Sequence, residues 1–376
     1  MTMKPPTAET QPPAEPPCPQ HDLPQALSPL VSAILPQPDR VERLIGLARV
    51  VKQQGKSEWV VPLIRHAQSC AEADGRGQEA LRRFWNLPAW HCSILNEEAR
   101  AAGYESALRG LVGPDDLVLE IGAGSGILAL LAARAGAGRV ITCETNPYLV
   151  DVAREIVAVN GYADRITVLH TSSKKLEIGP DLPRPADVLL GDHFTGSFYP
   201  GGGLALYQDA LGRLTTPTAK TLPRRGGMRL ALVSCPDLAA RYRPGQVAGF
   251  DCSLFRRFMP PAISINPDEW LAARPDILSE PVTPLPLAFD RLADFREETR
   301  DIELEPKAPG RVDGVVTWAW LELAEDVIWD GGISPSQRPW NRHLHLFARP
   351  VTVSPERPVK LKVTQALDGM TISPDL

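Results

Sequence analysis

The chain has 376 residues, 43% of them hydrophobic, and its 40 basic and 45 acidic side chains give a net charge of −5. That length accommodates two domains of ordinary size, and without a basic field no nucleic-acid partner is expected. Six scattered cysteines (Cys18, Cys70, Cys92, Cys143, Cys235, Cys252) with no Cys-x-x-Cys pair, and no run of about 18 apolar residues, predict reduced thiols, no metal site, no membrane span and a cytoplasmic location.

Residues 1–36 cluster prolines (Pro5, Pro6, Pro12, Pro13, Pro16, Pro17, Pro19) among few large apolar groups, which predicts a disordered tail. Residues 37–86 read as helical. From Asp39, an N-cap residue, Val41, Leu44, Ile45, Ala48 and Val51 recur at helical spacing. Trp59, Val60, Leu63, Ile64 and Ala67 mark a second helix, and Ala80, Leu81, Phe84 and Trp85 a third, with Gly55, Gly75 and Gly77 as breaks. Such a segment resembles tetratricopeptide hairpins, but one or two units lack stacked neighbours, and a helical prelude to the next domain is the simpler expectation.

Residues 87–222 read as an alternation of strands and helices. A helix is expected over Trp90–Tyr104, strands over 117–121, 139–143, 166–170 and 187–191, and helices from Ile127, over 147–160 and over 204–214. That order predicts a parallel sheet with its ligand outside the carboxyl ends of the strands. Gly122-Ala123-Gly124-Ser125-Gly126 follows the first strand and removes side chains where a ligand must approach the backbone. Glu144, at the end of the second strand, can accept hydrogen bonds from two ribose hydroxyls. A dinucleotide turn has its third glycine one residue later, and Glu120 would repel a pyrophosphate but could hold an ammonium group.

After Pro223 the pattern turns to strands, over Met228–Ser234, Val315–Leu323, His343–Ala348 and Val359–Ala366, so residues 223–376 are expected to form a β-rich domain. Trp318 and Trp320 share one face of their strand and are expected in its core; His343 and His345 also share a face but lack a third metal ligand.

The Glu-x-Gly-x-Gly-x-Gly spacing from Glu120 resembles motif I of class I S-adenosylmethionine-dependent methyltransferases. From about Trp90 onward the chain resembles the protein arginine methyltransferases, and in its motif details their type 7 branch. That resemblance implies an α/β fold: a Rossmann-like methyltransferase domain, then a β-rich, barrel-like domain, after an N-terminal helical segment. S-adenosylmethionine is the cofactor it implies. Ile94-Leu-Asn-Glu-Glu-Ala-Arg-Ala-Ala-Gly-Tyr104 resembles the family's helix before motif I, which assigns Arg100 to the cofactor carboxylate. Ser172 and Ser173 fall where the family contacts adenine, and Glu120, Gly122, Ala123, Gly124, Ser125, Gly126 and Glu144 complete the expected cofactor set.

Two loops depart from the family pattern. The family's substrate loop carries two glutamates that clamp a guanidinium; here Asp192 matches the first, and the second falls at Gly201 or its neighbours, where no acid stands. The family's Thr-His-Trp loop is matched by Arg338-Pro-Trp340, which keeps the tryptophan alone. Asp192 and His193 are the expected catalytic residues, Asp192 to orient the acceptor or receive its proton and His193 as a further base. Arginine in a protein is the expected acceptor; another protein side chain, a small-molecule acceptor, or cofactor binding without catalysis are the alternatives. The family commonly forms dimers through an arm of the β domain, which the segment from Arg256 to about Asp290 (Phe258, Met259, Trp270, Leu271) is expected to supply.

Overall fold

The computed structural model describes residues 23–56, 59–85, 90–192, 194, 198–199, 202–332 and 340–374. They belong to two compact units, 1–89 and 90–376.

The first unit is helical. A 3-10 turn, Gln25–Leu27, leads into α1 (Ser28–Ile34), followed by α2 (Arg40–Gln53), α3 (Val60–Asp74) and α4 (Gln78–Trp85). The apolar stripe of α2 (Val41, Leu44, Ile45, Ala48, Val51) meets that of α3 (Val60, Leu63, Ile64, Ala67), both fully buried. Gly77, before α4, has φ +75°, and a Cβ there would lie 2.4 Å from Val41 Cβ, so the close approach of α4 requires glycine. Part of the segment expected as a disordered tail is helical: Leu27 and Val31, one helical turn apart, are buried, and their burial orders residues 25–34, while residues 1–22 lie outside the described residues.

The second unit opens with α5 (Trp90–Leu95) and α6 (Glu98–Leu111), two helices where one was expected, broken at Asn96–Glu97. A five-stranded parallel sheet follows, from β1 (Leu117–Ile121), α7 (Ile127–Ala135), β2 (Arg139–Glu144), α8 (Pro147–Val159), β3 (Ile166–His170), β4 (Ala186–Gly191), α9 (Gly203–Leu214) and β5 (Thr215–Leu222), in the order β3-β2-β1-β4-β5. β1 is buried at every position, as a central parallel strand covered on both faces must be. The order reverses between β1 and β4, which opens a crevice at their carboxyl ends.

Leu222–Pro223 is a cis peptide bond, and beyond it the strands are antiparallel. The first is β6 (Arg225–Ser234); α10 (Pro236–Tyr242), the hairpin β7 (Gln246–Val247) and β8 (Phe250–Asp251), β9 (Ile263–Ile265), α11 (Pro267–Ala273), β10 (Asp276–Ile277) and β11 (Leu287–Ala288) come next. The remainder is β12 (Glu298–Leu304), β13 (Gly310–Ala324), β14 (Val327–Asp330), β15 (Arg342–Val353), β16 (Val359–Gln365) and β17 (Met370–Pro374). One sheet runs β10-β6-β13-β15-β9, with β11 on β6 and β14 on β13; a second runs β12-β16-β17. Trp318 is buried, while Trp320 is half-buried beside the Arg229 guanidinium.

Two expectations about this part change. One hydrophobic core holds Leu119 of β1, Leu190 of β4, Met228 of β6 and Leu321 of β13, so the parallel and antiparallel parts are not separately cored domains. The segment expected as an arm is mostly folded onto its own sheet: Trp270 is 4% exposed and packs with Ile263 and Ile265. The exposed apolar side chains lie at its start and before it, at Val247, Phe250, Leu254, Phe255 and Phe258, the last inside the expected segment. Among the described residues no helix is long and apolar enough to cross a membrane.

Candidate active site

Strand register gathers the expected residues at one edge of the parallel sheet. Ile121 pairs with Cys143 on one side and Gly191 on the other, and Glu144 pairs with His170. The residues that follow these strands (Gly122, Asp192 and the Thr171–Ser173 turn) therefore emerge side by side, with Glu144 among them, at the β1/β4 switch point.

The glycine turn is left-handed at Gly122 (φ +84°), Gly124 (φ +53°) and Gly126 (φ +81°), which side-chain-bearing residues rarely adopt. Open space surrounds the position a Cβ on Gly124 would take. Gly122 N and Ala123 N both donate to Cys143 O, and Gly126 N donates to Ala123 O, so the turn is fixed with Ser125 inside it. Glu144 Oε1 accepts from Thr145 N and Asn146 N, each at 2.8 Å, and Oε2 from Gly124 N at 3.1 Å. A carboxylate has about four acceptor sites, so one on Oε2 remains for a ligand hydroxyl. His91 of α5 is held below the usual histidine range by burial, against the opposing pull of the Glu144 charge. Ser172 precedes a 3-10 turn, Ser173–Lys175, whose first residue is buried; Arg213 donates to the Ser173 carbonyl.

Glu120 is 1% exposed. Burial pushes its carboxyl up to about 8, the Thr142 hydroxyl offsets part of that shift, and the Glu144 charge adds to it. At neutral pH Glu120 therefore holds a proton.

A buried charge pair joins Arg100 to Asp192, with side chains 7% and 4% exposed. Arg100 reaches it from α6, where its guanidinium also lies 5.4 Å from the Tyr104 ring centroid, one turn on. Asp192 reaches it from the loop after β4. Phe194 and Phe198 of that loop pack with Tyr207 and Phe289, with 5.0 Å between the two phenylalanine centroids and 5.2 Å from Phe194 to Phe289. Tyr207 beneath them donates to or shares its hydroxyl with Leu189 O and Leu222 O. His193, Gly201 and Arg338 lie outside the described residues.

The β-rich part contributes Trp329 of β14 and Trp340, whose ring centroids are 3.9 Å apart. Trp329 Nε1 donates to Glu97 Oε1 at 3.1 Å, tying β14 to the start of α6. Glu97, Tyr104 and His91 were not singled out from the sequence as site residues. Glu97 pairs with a partner 232 positions away, which no local pattern reveals.

Several polar atoms around this crevice are buried without a hydrogen-bond partner: Arg100 Nε, Tyr104 Oη, Glu120 Oε2, Glu97 Oε2 and Trp340 Nε1. Buried polar groups in native proteins are satisfied by protein, water or ligand. The group implied for this site, an amino acid joined through a sulfonium to a nucleoside, fits that donor set. Arg100 can take its carboxylate, Glu120 its ammonium, Glu144 one ribose hydroxyl where two were expected, and the open turn at Gly124 its backbone approach. Among the described residues no group of three or more His, Cys, Asp or Glu could hold a metal ion. His343 and His345 sit in the sheet, where burial lowers both, His345 to about 4, and His345 Nε2 lies 3.2 Å from Thr317 Oγ1.

Comparisons with known proteins bear on the same residues. A family model described as ribosomal protein L11 methyltransferase (PrmA) matches residues 105–191. The chain is 32% identical over 301 residues to an arginine N(omega)-methyltransferase of Streptomyces achromogenes subsp. streptozoticus, covering 79% of each chain. It is 27% identical over 274 residues to protein arginine N-methyltransferase 7 of Drosophila melanogaster, covering 67% of this chain but 38% of that one, so it spans little more than a third of that relative's length. Among solved structures, the Trypanosoma brucei PRMT1 enzyme–prozyme heterotetrameric complex with AdoHcy matches with a TM-score of 0.61 at 20% identity, covering 77% of this chain and 95% of that one. Arabidopsis thaliana protein arginine methyltransferase 10 matches with a TM-score of 0.57 at 18% identity, covering 77% and 97%. These two likenesses are likenesses of fold.

Proposed function

The chain belongs to the arginine methyltransferase family and is an S-adenosylmethionine-dependent methyltransferase, and from that premise we propose that its acceptor is a guanidino nitrogen of arginine. The observation that carries the reading is the buried Arg100–Asp192 ion pair. It joins the residue assigned to the cofactor carboxylate to the acid at the head of the acceptor loop, so one guanidinium and one carboxylate already meet where donor and acceptor must meet.

The cofactor supplies an activated methyl group on a sulfonium, and the protein's residues bind, orient and exclude water. Arg100, Glu120, Gly122, Ala123, Gly124, Ser125, Gly126, Glu144, Ser172 and Ser173 form the proposed cofactor set. A cofactor carboxylate on Arg100 competes with Asp192 for the same guanidinium, which frees Asp192 to take the acceptor cation. Transfer would form a nitrogen–carbon bond as the methyl–sulfur bond breaks, its electron pair leaving with sulfur as a neutral thioether, and the nitrogen would give up one proton; Asp192 is the base proposed to hold it, with His193 as the second.

Two forms of the acceptor are proposed, free arginine and arginine in a protein, because the Streptomyces relative is named for arginine and the Drosophila relative for protein arginine. Labelled-methyl transfer into L-arginine and into an arginine-containing peptide tests both. Methylarginine from either supports the reading; label on other residues or in small molecules alone replaces the acceptor, and cofactor binding without any transfer replaces catalysis by a scaffold role.

A homodimer completes the proposal. Val247 and Phe250 of the β7–β8 hairpin, with Leu254, Phe255 and Phe258 after it, are 58% to 77% exposed, and the Phe255 and Phe258 rings lie 5.5 Å apart. An apolar cluster so exposed on one projecting segment fits an arm that packs on a second copy.

A further inference from the structure

The acceptor loop supplies one carboxylate, and the second expected from the resemblance falls at a glycine. A guanidinium brought to a sulfonium places two cations in a crevice that also holds Arg100. In a medium of low dielectric their repulsion is large unless fixed anions offset it. With the Arg100 charge matched by the cofactor carboxylate, Asp192 is the one described carboxylate proposed for the acceptor guanidinium, where the resemblance expects two.

Glu97 supplies the missing charge. It stands immediately before α6, three residues ahead of Arg100, a spacing that puts two side chains on the same helical side. Trp329 Nε1 holds Oε1 at 3.1 Å, which fixes the carboxylate's orientation, while Oε2 is buried and meets no donor. Next to it lie the Trp329 and Trp340 rings, 3.9 Å apart and tilted by 39°, aromatic faces of the kind that attract a guanidinium. A carboxylate oxygen kept dry, oriented and unpaired is costly unless a donor completes it.

We propose that Glu97, through Oε2, is the second carboxylate of the acceptor site and binds the arginine guanidinium opposite Asp192. One acid thus comes from the acceptor loop and the other from the start of α6. This rests on the arginine reading above. The competing explanation is a buried water bridging Glu97 Oε2 and Trp340 Nε1, which would make Glu97 purely structural.

The test compares ligands that differ in charge and hardly in shape. Calorimetry on the full chain saturated with S-adenosylhomocysteine measures L-arginine against L-citrulline, and Gly-Arg-Gly against its citrulline counterpart. The wild type is expected to prefer the guanidinium member of at least one pair by about 100-fold, and Glu97→Gln, which keeps an acceptor for Trp329, to lower that preference about tenfold or more. S-adenosylhomocysteine affinity and Tm should stay near wild-type values. Trp329→Phe removes the indole donor and leaves the charge, so it should keep most of the preference. An unchanged preference in Glu97→Gln, or an equal loss in both variants, overturns the assignment of Glu97 alone. A wild type that binds S-adenosylhomocysteine but does not distinguish either pair overturns the arginine reading and this proposal with it.

Discussion

Arg100 and Asp192 hold each other at about the cost of burying either alone, so changes at either should be felt twice. Breaking a buried pair by removing one partner typically costs about 3 to 5 kcal/mol, because the other charge stays dry and uncompensated. Arg100→Ala should therefore lower the unfolding free energy by that amount, measured by urea denaturation. Arg100→Lys keeps the charge but loses the planar fork. It should weaken cofactor binding about tenfold or more in calorimetry, with a smaller loss of stability. Glu120 gives a pH dependence of definite sign. Its carboxyl holds a proton up to about pH 8, and it must lose that proton to pair with the cofactor's ammonium. Cofactor affinity should rise about tenfold per pH unit below about 8 and level above it, with about one proton released on binding near neutral pH. Glu120→Gln should flatten that profile. A slope of the opposite sign would mean that Glu120 binds as the neutral acid. Much of this residue-level picture was open to sequence reasoning, since Glu120, Glu144 and the glycines sit at fixed distances from one strand. The Arg100–Asp192 contact and the anchoring of Glu97 by Trp329 were not, because both depend on elements far apart in the chain.

Strands buried on both faces announced themselves: Leu117–Ile121 is an apolar run with one acid, and that acid, Glu120, is the one proposed to hold the cofactor's ammonium. Strands with little burial did not. β5, Thr215–Leu222, begins with threonines and a proline and is largely uncovered through Lys220, as an edge strand can be, and the helical pattern before it masked its start. β12, Glu298–Leu304, is mostly exposed and charged on its outer positions, pairing with only β16, so its period carries little apolar contrast. The 256–290 segment mixes two kinds of apolar residue: Trp270 is apolar because it is core, whereas the exposed apolar surface lies on the short hairpin and on the 3-10 turn Ser253–Phe258, which overlaps the segment's start. If that hairpin is the dimer arm, Phe250→Glu combined with Phe258→Glu should turn a dimer into a monomer in sedimentation at micromolar concentration, with an unchanged far-UV circular dichroism spectrum, because both side chains are exposed within the single chain. A wild type that sediments as a monomer would remove the arm.

At the scale of the whole molecule, the chain divides after Ala89 and not where its sheets change. Parallel and antiparallel strands share one core, so residues 90–376 should unfold in a single transition and bind S-adenosylmethionine without the N-terminal helices. Differential scanning calorimetry of that fragment checks this; two separated transitions would mean that the two sheets are independently stable. A shared core also explains how a residue of the antiparallel part can orient one at the start of α6: Trp329 and Glu97 meet across a continuous interior, where geometry is held closely. Whether this crevice moves a methyl group from S-adenosylmethionine to arginine is read by transfer of labelled methyl to L-arginine and to an arginine-containing peptide, followed by amino-acid analysis of the products. Methylarginine is expected from at least one of them, reduced about 100-fold or more in Asp192→Asn. Tight cofactor binding with no methylarginine from either acceptor would contradict that expectation.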